Sequence, residues 1–182
     1  VLFAFGERKG GEHENRRDPG ADRGFGKGHV HRIQVHELYG PLIQQALTEW
    51  GENVLYLALD TSMLWGKYCI IRISVVYRGR AVPLVWKVLE HASSAVAFDA
   101  YKELLNKAAQ LLVPFQCRVV FLADRGFADT DLMAHLTKLG WQWRIRLKGN
   151  FLIYRRGRGR CKAGRITPAA GRAILWHNVC IT

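Results

Sequence analysis

Leu55-Tyr56-Leu57-Ala58-Leu59-Asp60-Thr61-Ser62 and Val119-Val120-Phe121-Leu122-Ala123-Asp124-Arg125-Gly126-Phe127 decide how this chain is read. Each is an apolar run of strand length closed by an aspartate. Open α/β sheets present their chemistry just outside the carboxyl ends of their strands. Two such aspartates can share a divalent cation if their strands lie side by side. The segment between them is long enough for a hairpin and a crossover helix, and a right-handed crossover brings the second run parallel to the starting sheet. Periodicity alone does not make the two runs neighbours.

Outward from these runs the pattern is strand, hairpin pair, helix, strand, helix, strand. Gly40-Pro41 predicts a helix with proline in its first turn, a face of Leu42, Ile43, Ala46, Leu47 and Trp50, and a stop at Gly51. The first strand runs from Asn53 to Asp60. Residues 68–77 are β-branched and aromatic, Arg78-Gly79-Arg80 turns the chain, and Ala81 to Leu89 returns as a partner strand. Ser93 or Ser94 is the expected cap of the next helix, with Ala97, Tyr101, Leu104, Leu105, Ala108, Leu111 and Leu112 on one face and Pro114 beyond its end. After Asp124, Asp129 caps a short helix carrying Leu132, Met133, Leu136 and Leu139, which Gly140 stops. Trp141 to Leu147 then alternates apolar with polar as a half-buried strand.

The charge is unevenly placed. The net charge is +12 over 182 residues, and no acidic residue follows Asp131. Eleven basic residues lie between Leu132 and Thr182, so the last stretch holds nearly all of the excess. That distribution points to a polyanionic partner. Tyr154-Arg155-Arg156-Gly157-Arg158-Gly159-Arg160-Cys161-Lys162 can follow a phosphate backbone, with Trp141, Trp143, Tyr154 and Trp176 available to stack on bases. The competing reading is a solvated turn with the tryptophans in the core.

Other features carry less. Cys69, Cys117, Cys161 and Cys180 show no metal-ligand or C-x-x-C spacing, which fits a reduced, cytoplasmic setting. No run approaches the ~20 apolar residues of a membrane span, so no membrane partner is expected. Residues 1–32 read as a flexible, mixed-charge lead-in. Gly24-Phe25-Gly26-Lys27-Gly28 lacks the preceding strand and following Lys-Ser/Thr of a phosphate loop, and His29, His31 and His36 lack carboxylate or cysteine company for a metal.

The joint pattern resembles the DDE transposases of bacterial insertion sequences, in the insertion-sequence-four group. Leu57-Ala58-Leu59-Asp60-Thr61-Ser62 and Phe121-Leu122-Ala123-Asp124-Arg125-Gly126-Phe127 carry the resemblance, supported by Trp141-Gln142-Trp143-Arg144-Ile145-Arg146-Leu147-Lys148. It implies an α/β fold, a ribonuclease-H-like mixed sheet with flanking helices over residues 33–149, followed at 150–182 by the basic start of a β-rich insertion. It also implies DNA as partner, a homodimer in the intact family, and two Mg²⁺ or Mn²⁺ ions held by Asp60 and Asp124 for cleavage and strand transfer. Arg144, Arg146, Lys148, Arg155, Arg156, Arg158, Arg160 and Lys162 are then the expected DNA contacts. The family's third ligand is a glutamate in a Tyr-x-x-Arg-x-x-x-Glu pattern, and nothing in these 182 residues matches it. The chain therefore reads as a truncated, catalytically incomplete core.

Three functional readings follow. The first is a transposase core fragment that binds DNA weakly and does not cut it alone. The second is a non-catalytic, basic nucleic-acid-binding module. The third is a two-carboxylate nuclease that recruits its missing ligand from elsewhere.

Overall fold

A computed structural model describes residues 2–5, 35–51, 53–155, 157, 159–177 and 179–181. Strand β1 (Leu2–Phe5) is followed by helix α1 (Val35–Thr48), then strands β2 (Val54–Leu64), β3 (Tyr68–Tyr77) and β4 (Arg80–Glu90). Helix α2 (Lys102–Leu112), strand β5 (Arg118–Ala123), helix α3 (Thr130–Lys138) and strand β6 (Gln142–Ile145) complete the central part. Four short strands close the chain: β7 (Leu152–Arg155), β8 (Gly159–Lys162), β9 (Ala173–Trp176) and β10 (Val179–Ile181).

The central sheet has five strands in the order β4-β3-β2-β5-β6. The β2–β3 and β3–β4 pairs are antiparallel, whereas β2–β5 and β5–β6 are parallel. An antiparallel meander continued by parallel strands on the far side of its first strand is the mixed, ribonuclease-H-like arrangement expected from the sequence. The two aspartate-bearing runs are neighbours, with Leu55 opposite Val119, Leu57 opposite Phe121 and Leu59 opposite Ala123.

Alternation along β2 decides which face is covered. Leu55, Leu57 and Leu59 are buried, while Tyr56 and Asp60 are exposed. The buried set joins Ile71, Ile73, Val75, Val119 and Phe121 in one core with Ile43 and Leu47 of α1, Leu104, Leu105 and Ala108 of α2, and Leu132 and Leu136 of α3. The hydrophobic effect thus pins the register, since a one-residue slip would turn every leucine of β2 to the wrong face. Val76 and Val88 on the opposite face stay exposed.

Four expectations need correction. Helix α1 begins at Val35, so Pro41 lies inside it rather than in its first turn. The missing proline N–H leaves the Glu37 carbonyl without its helical donor, and Glu37 lies in exposed helix. The buried face is set by Tyr39, Ile43, Leu47 and Trp50, and Leu42 points to solvent. Strand β2 does not stop at Asp60. Thr61 to Leu64 continue to pair with Ile71 to Tyr68, because the antiparallel partner outlasts the parallel one.

The serines do not cap α2, whose N-cap is Tyr101 after a 3-10 turn at Phe98–Ala100. Ser93 instead receives the Ala95 N–H in a local turn, and the Ser94 carbonyl accepts the Thr61 hydroxyl. Trp141 and Trp143 pack against the core, Trp141 stacked on Phe121 at 6.0 Å and Trp143 donating its indole N–H to Thr137. They are structural residues of the β6 edge.

The last strands form their own small sheets. β7 pairs with β8 and β10, and β9 pairs antiparallel with β1. The glycine-rich and histidine positions of residues 24–31 lie outside the described residues. Among the described residues, no helix is long and apolar enough to cross a membrane.

Two substitutions test this account. Leu57→Ala empties a fully buried position at the β2–β5 seam and is expected to cost about 2–5 kcal/mol, read by urea denaturation. The β2–β3 turn places Trp65 at φ 54 and Gly66 at φ 65, with Lys67 N–H bonded to the Leu64 carbonyl. This turn geometry favours Asn before Gly, and a bulky side chain is strained there. Trp65→Asn should therefore raise the unfolding free energy by about 1 kcal/mol; a lower denaturation midpoint would refute the turn assignment.

Candidate active site

Asp60 and Asp124 both lie just past the end of the β2–β5 parallel seam. The last paired residues are Leu59 and Ala123, so each aspartate stands one step beyond them on adjacent parallel strands. Parallel partners point to the same face. Asp60 is exposed on the strand alternation that leaves Tyr56 exposed and Ala58 half-buried, and Asp124 is exposed in extended backbone at φ −78, ψ 179. The register thus brings the backbone of residues 60 and 124 side by side at the end of the parallel seam.

Their anchoring differs. Asp60 lies in mid-strand, opposite Arg72 of β3, and its Oδ2 is 3.6 Å from Arg72 Nη2. Its side chain is 64% exposed, so the pair contributes at most about 1 kcal/mol to stability. Asp124 caps the 3-10 turn Arg125–Phe127, its Oδ1 accepting the Gly126 N–H at 2.7 Å. Phe127 buries itself edge-on against Tyr101, ring centroids 5.8 Å apart. The Tyr101 phenol is held protonated well above its ordinary range, by burial first and by the charge of Asp129 second. A neutral, fully buried ring is thus the fixed wall behind the turn that presents Asp124.

Other carboxylates stay out of the site. Asp129 caps α3 and receives the Asp131 N–H at 2.7 Å, as helix N-terminal acids do. Glu90 pairs with Lys67 at 3.2 Å. Asp99 and Glu103 lie exposed on and after the Phe98–Ala100 turn. Among the described residues, no three His, Cys, Asp or Glu side chains gather into a group able to hold a metal ion. The Asp60–Asp124 pair does suit Mg²⁺ or Mn²⁺. Its donors are hard oxygens, Asp60 is largely exposed, and Asp124 keeps an oxygen clear of its backbone bond. Mg²⁺ commonly takes only one or two carboxylates and completes its octahedron with water and phosphate oxygens.

The basic residues lie on a different part of the chain. Arg144 is on β6, and Arg146 and Lys148 follow it, all three exposed. Arg160 and Lys162 are exposed on β8, and Arg155 on β7 lies 5.7 Å over the ring of Trp176. Arg156 and Arg158 fall outside the described residues. Sequence reasoning did not single out Arg72, Gly126 or Phe127 as site residues. Gly126 and Phe127 stood inside the quoted motif. Arg72 carried one signal, a lone cation among the apolar residues of β3.

Gly126 shows how closely the turn is fitted. A Cβ at this position would lie 2.9 Å from Asp124 Oδ1. Gly126→Ala is expected to displace the carboxylate, weaken the capping bond and lower stability by about 1 kcal/mol. Faster amide exchange at position 126 is the measurement, and unchanged protection would show that the carboxylate does not hold the turn.

The family described as "Transposase DDE domain" matches residues 66–176, more than half of the sequence, including Asp124 but not Asp60. No curated protein matches. Among solved structures, the Mos1 transposase catalytic domain with raltegravir and Mn is 14% identical, covering 65% of this chain and 62% of that one at a TM-score of 0.36. The catalytic domain of the Mos1 mariner transposase gives 14%, 65%, 62% and 0.34. The Mos1 strand transfer complex gives 13% identity, 68% of this chain and 46% of that chain, at 0.35. The chain thus spans less than two thirds of the length of these structures. On the family match, this chain belongs to the transposase DDE domain family.

Proposed function

We propose that this chain is catalytic-core material of an insertion-sequence-four-type transposase, acting on DNA phosphodiesters through Asp60 and Asp124. One observation carries the reading. Two aspartates distant in sequence each directly follow a member of the last paired couple of one parallel seam, Leu59 and Ala123. In this reading Asp60 and Asp124 would be the residues that hold the divalent cations. Such ions, when bound, make a water or hydroxyl nucleophilic near neutral pH and offset charge on the departing oxygen. The protein's own part is positional. Gly126 N–H and the buried Phe127 hold Asp124 in place, and the exposed cations of β6, β8 and the chain after them engage the phosphate backbone.

The reaction class is displacement at phosphorus. Water forms a new bond to phosphorus as the P–O3′ bond breaks, leaving a 5′-phosphate and a free 3′-hydroxyl; that hydroxyl then bonds to a target phosphorus as the target's own P–O3′ bond breaks and a target 3′-hydroxyl leaves. No acidic residue follows Asp131 to serve as the third ligand. Residues 1–182 by themselves are therefore expected to bind metal and DNA without cutting. The run of basic residues after Asp131 favours a second reading, a basic nucleic-acid-binding module without catalysis.

Both are tested with a labelled duplex and Mn²⁺. Binding should weaken about 10³-fold or more between 50 and 200 mM salt if six or more phosphates are engaged. Neutralising Arg144, Arg160 and Lys162 together should flatten the salt slope by about 2–3. A slope unchanged by those substitutions would remove them from the interface. Mn²⁺ binding abolished by Asp60→Ala with Asp124→Ala supports the catalytic reading, and binding that survives both substitutions rejects it. Strand cutting that Asp60→Ala abolishes would show that the third carboxylate is dispensable.

A further inference from the structure

We propose that Arg72 is an internal counter-ion that occupies the cation position at Asp60 and passes to a phosphate oxygen when a divalent ion loads. The inference rests on the reading of Asp60 and Asp124 as metal ligands, and goes beyond it by giving a role to a third residue.

Arg72 is the direct cross-strand partner of Asp60, on the same face and on the side away from β5. Asp60 is therefore flanked by a carboxylate-bearing strand on one side and a guanidinium-bearing strand on the other. The Nη2–Oδ2 separation of 3.6 Å is an ion pair, yet it is longer than a good charged hydrogen bond. Arg72 Nε is buried and has no hydrogen-bond partner. A guanidinium offers five donors in a planar fork suited to paired oxygens. Here the charge is balanced while the fork remains poorly matched. Such a group holds the carboxylate loosely, and a phosphate can supply the second oxygen that Asp60 does not.

Electrostatics gives the direction of the effect. With Arg72 present, the two aspartates and this cation sum to −1. A divalent ion approaching Asp60 must displace a positive charge already there or stand close to it. Removing that charge should tighten metal binding. A variant that merely damages the fold would weaken it, so the sign separates the two causes.

The experiment is a Mn²⁺ titration of the full 182-residue chain, followed by the electron paramagnetic resonance signal of the free hexaaqua ion. Arg72→Met, which keeps much of the aliphatic stem, is expected to bind Mn²⁺ about three- to thirty-fold more tightly than the parent at low salt. Arg72→Lys should stay within about twofold of the parent, since it keeps the charge. In an Asp60→Asn background the gain from Arg72→Met should vanish. Equal or weaker binding by Arg72→Met, or a gain that persists without Asp60, overturns the proposal while leaving the metal site intact. If neither parent nor Arg72→Met binds Mn²⁺, the metal-site reading falls and this proposal falls with it. Adding a 20-base-pair duplex supplies the phosphate arm. It should tighten Mn²⁺ binding more in the parent than in Arg72→Met, and equal tightening would remove the transfer to phosphate.

Discussion

The parallel pairing of β2 with β5 is the constraint from which the rest of the site follows. Leu57 and Phe121 are both fully buried and directly opposed across that seam. Their burial fixes the register, and the register alone sets Asp60 level with Asp124. Sliding either strand by one residue would expose a row of leucines and send one carboxylate into the helix layer. The same hydrophobic preference that builds the core therefore sets the position of two charged groups it never touches. The family match starts at residue 66, so it covers the second aspartate and leaves the first outside. The register joins them.

Much of this was legible in the residues because two periodicities dominate the chain. Leu55, Leu57 and Leu59 alternate at the strand period, and Leu104, Leu105, Ala108 and Leu112 repeat at the helical one. Punctuation was equally readable at Arg78-Gly79-Arg80, Asp129 and Gly140, where a turn, a cap and a stop each rest on a local chemical preference. The order of elements followed from these signals. The parallel adjacency of the two aspartate strands did not, because pairing between segments some sixty positions apart leaves no local mark.

The errors share that cause. Strand β2 runs past Asp60 through the polar Thr61 and Ser62, because β3 is present to exchange hydrogen bonds with it. The start of α1 was placed by its proline, although burial of Tyr39, Ile43 and Leu47 outweighs one lost backbone bond. Ser93 and Ser94 offered capping chemistry, but the segment from His91 to Ala97 is taken up in turns, with Thr61 bonding the Ser94 carbonyl. Arg72 was hidden for a related reason. A single cation in an apolar strand gains meaning only when its cross-strand partner is known.

The capping bond from Gly126 has one more consequence. It ties one oxygen of Asp124 to the backbone, whereas Asp60 is 64% exposed beside a loosely matched guanidinium. The two aspartates are therefore unequal before anything arrives. Whatever entropy is lost when a ligand settles falls mainly on the side chain at position 60, and adaptation to differing guests belongs to that side alone.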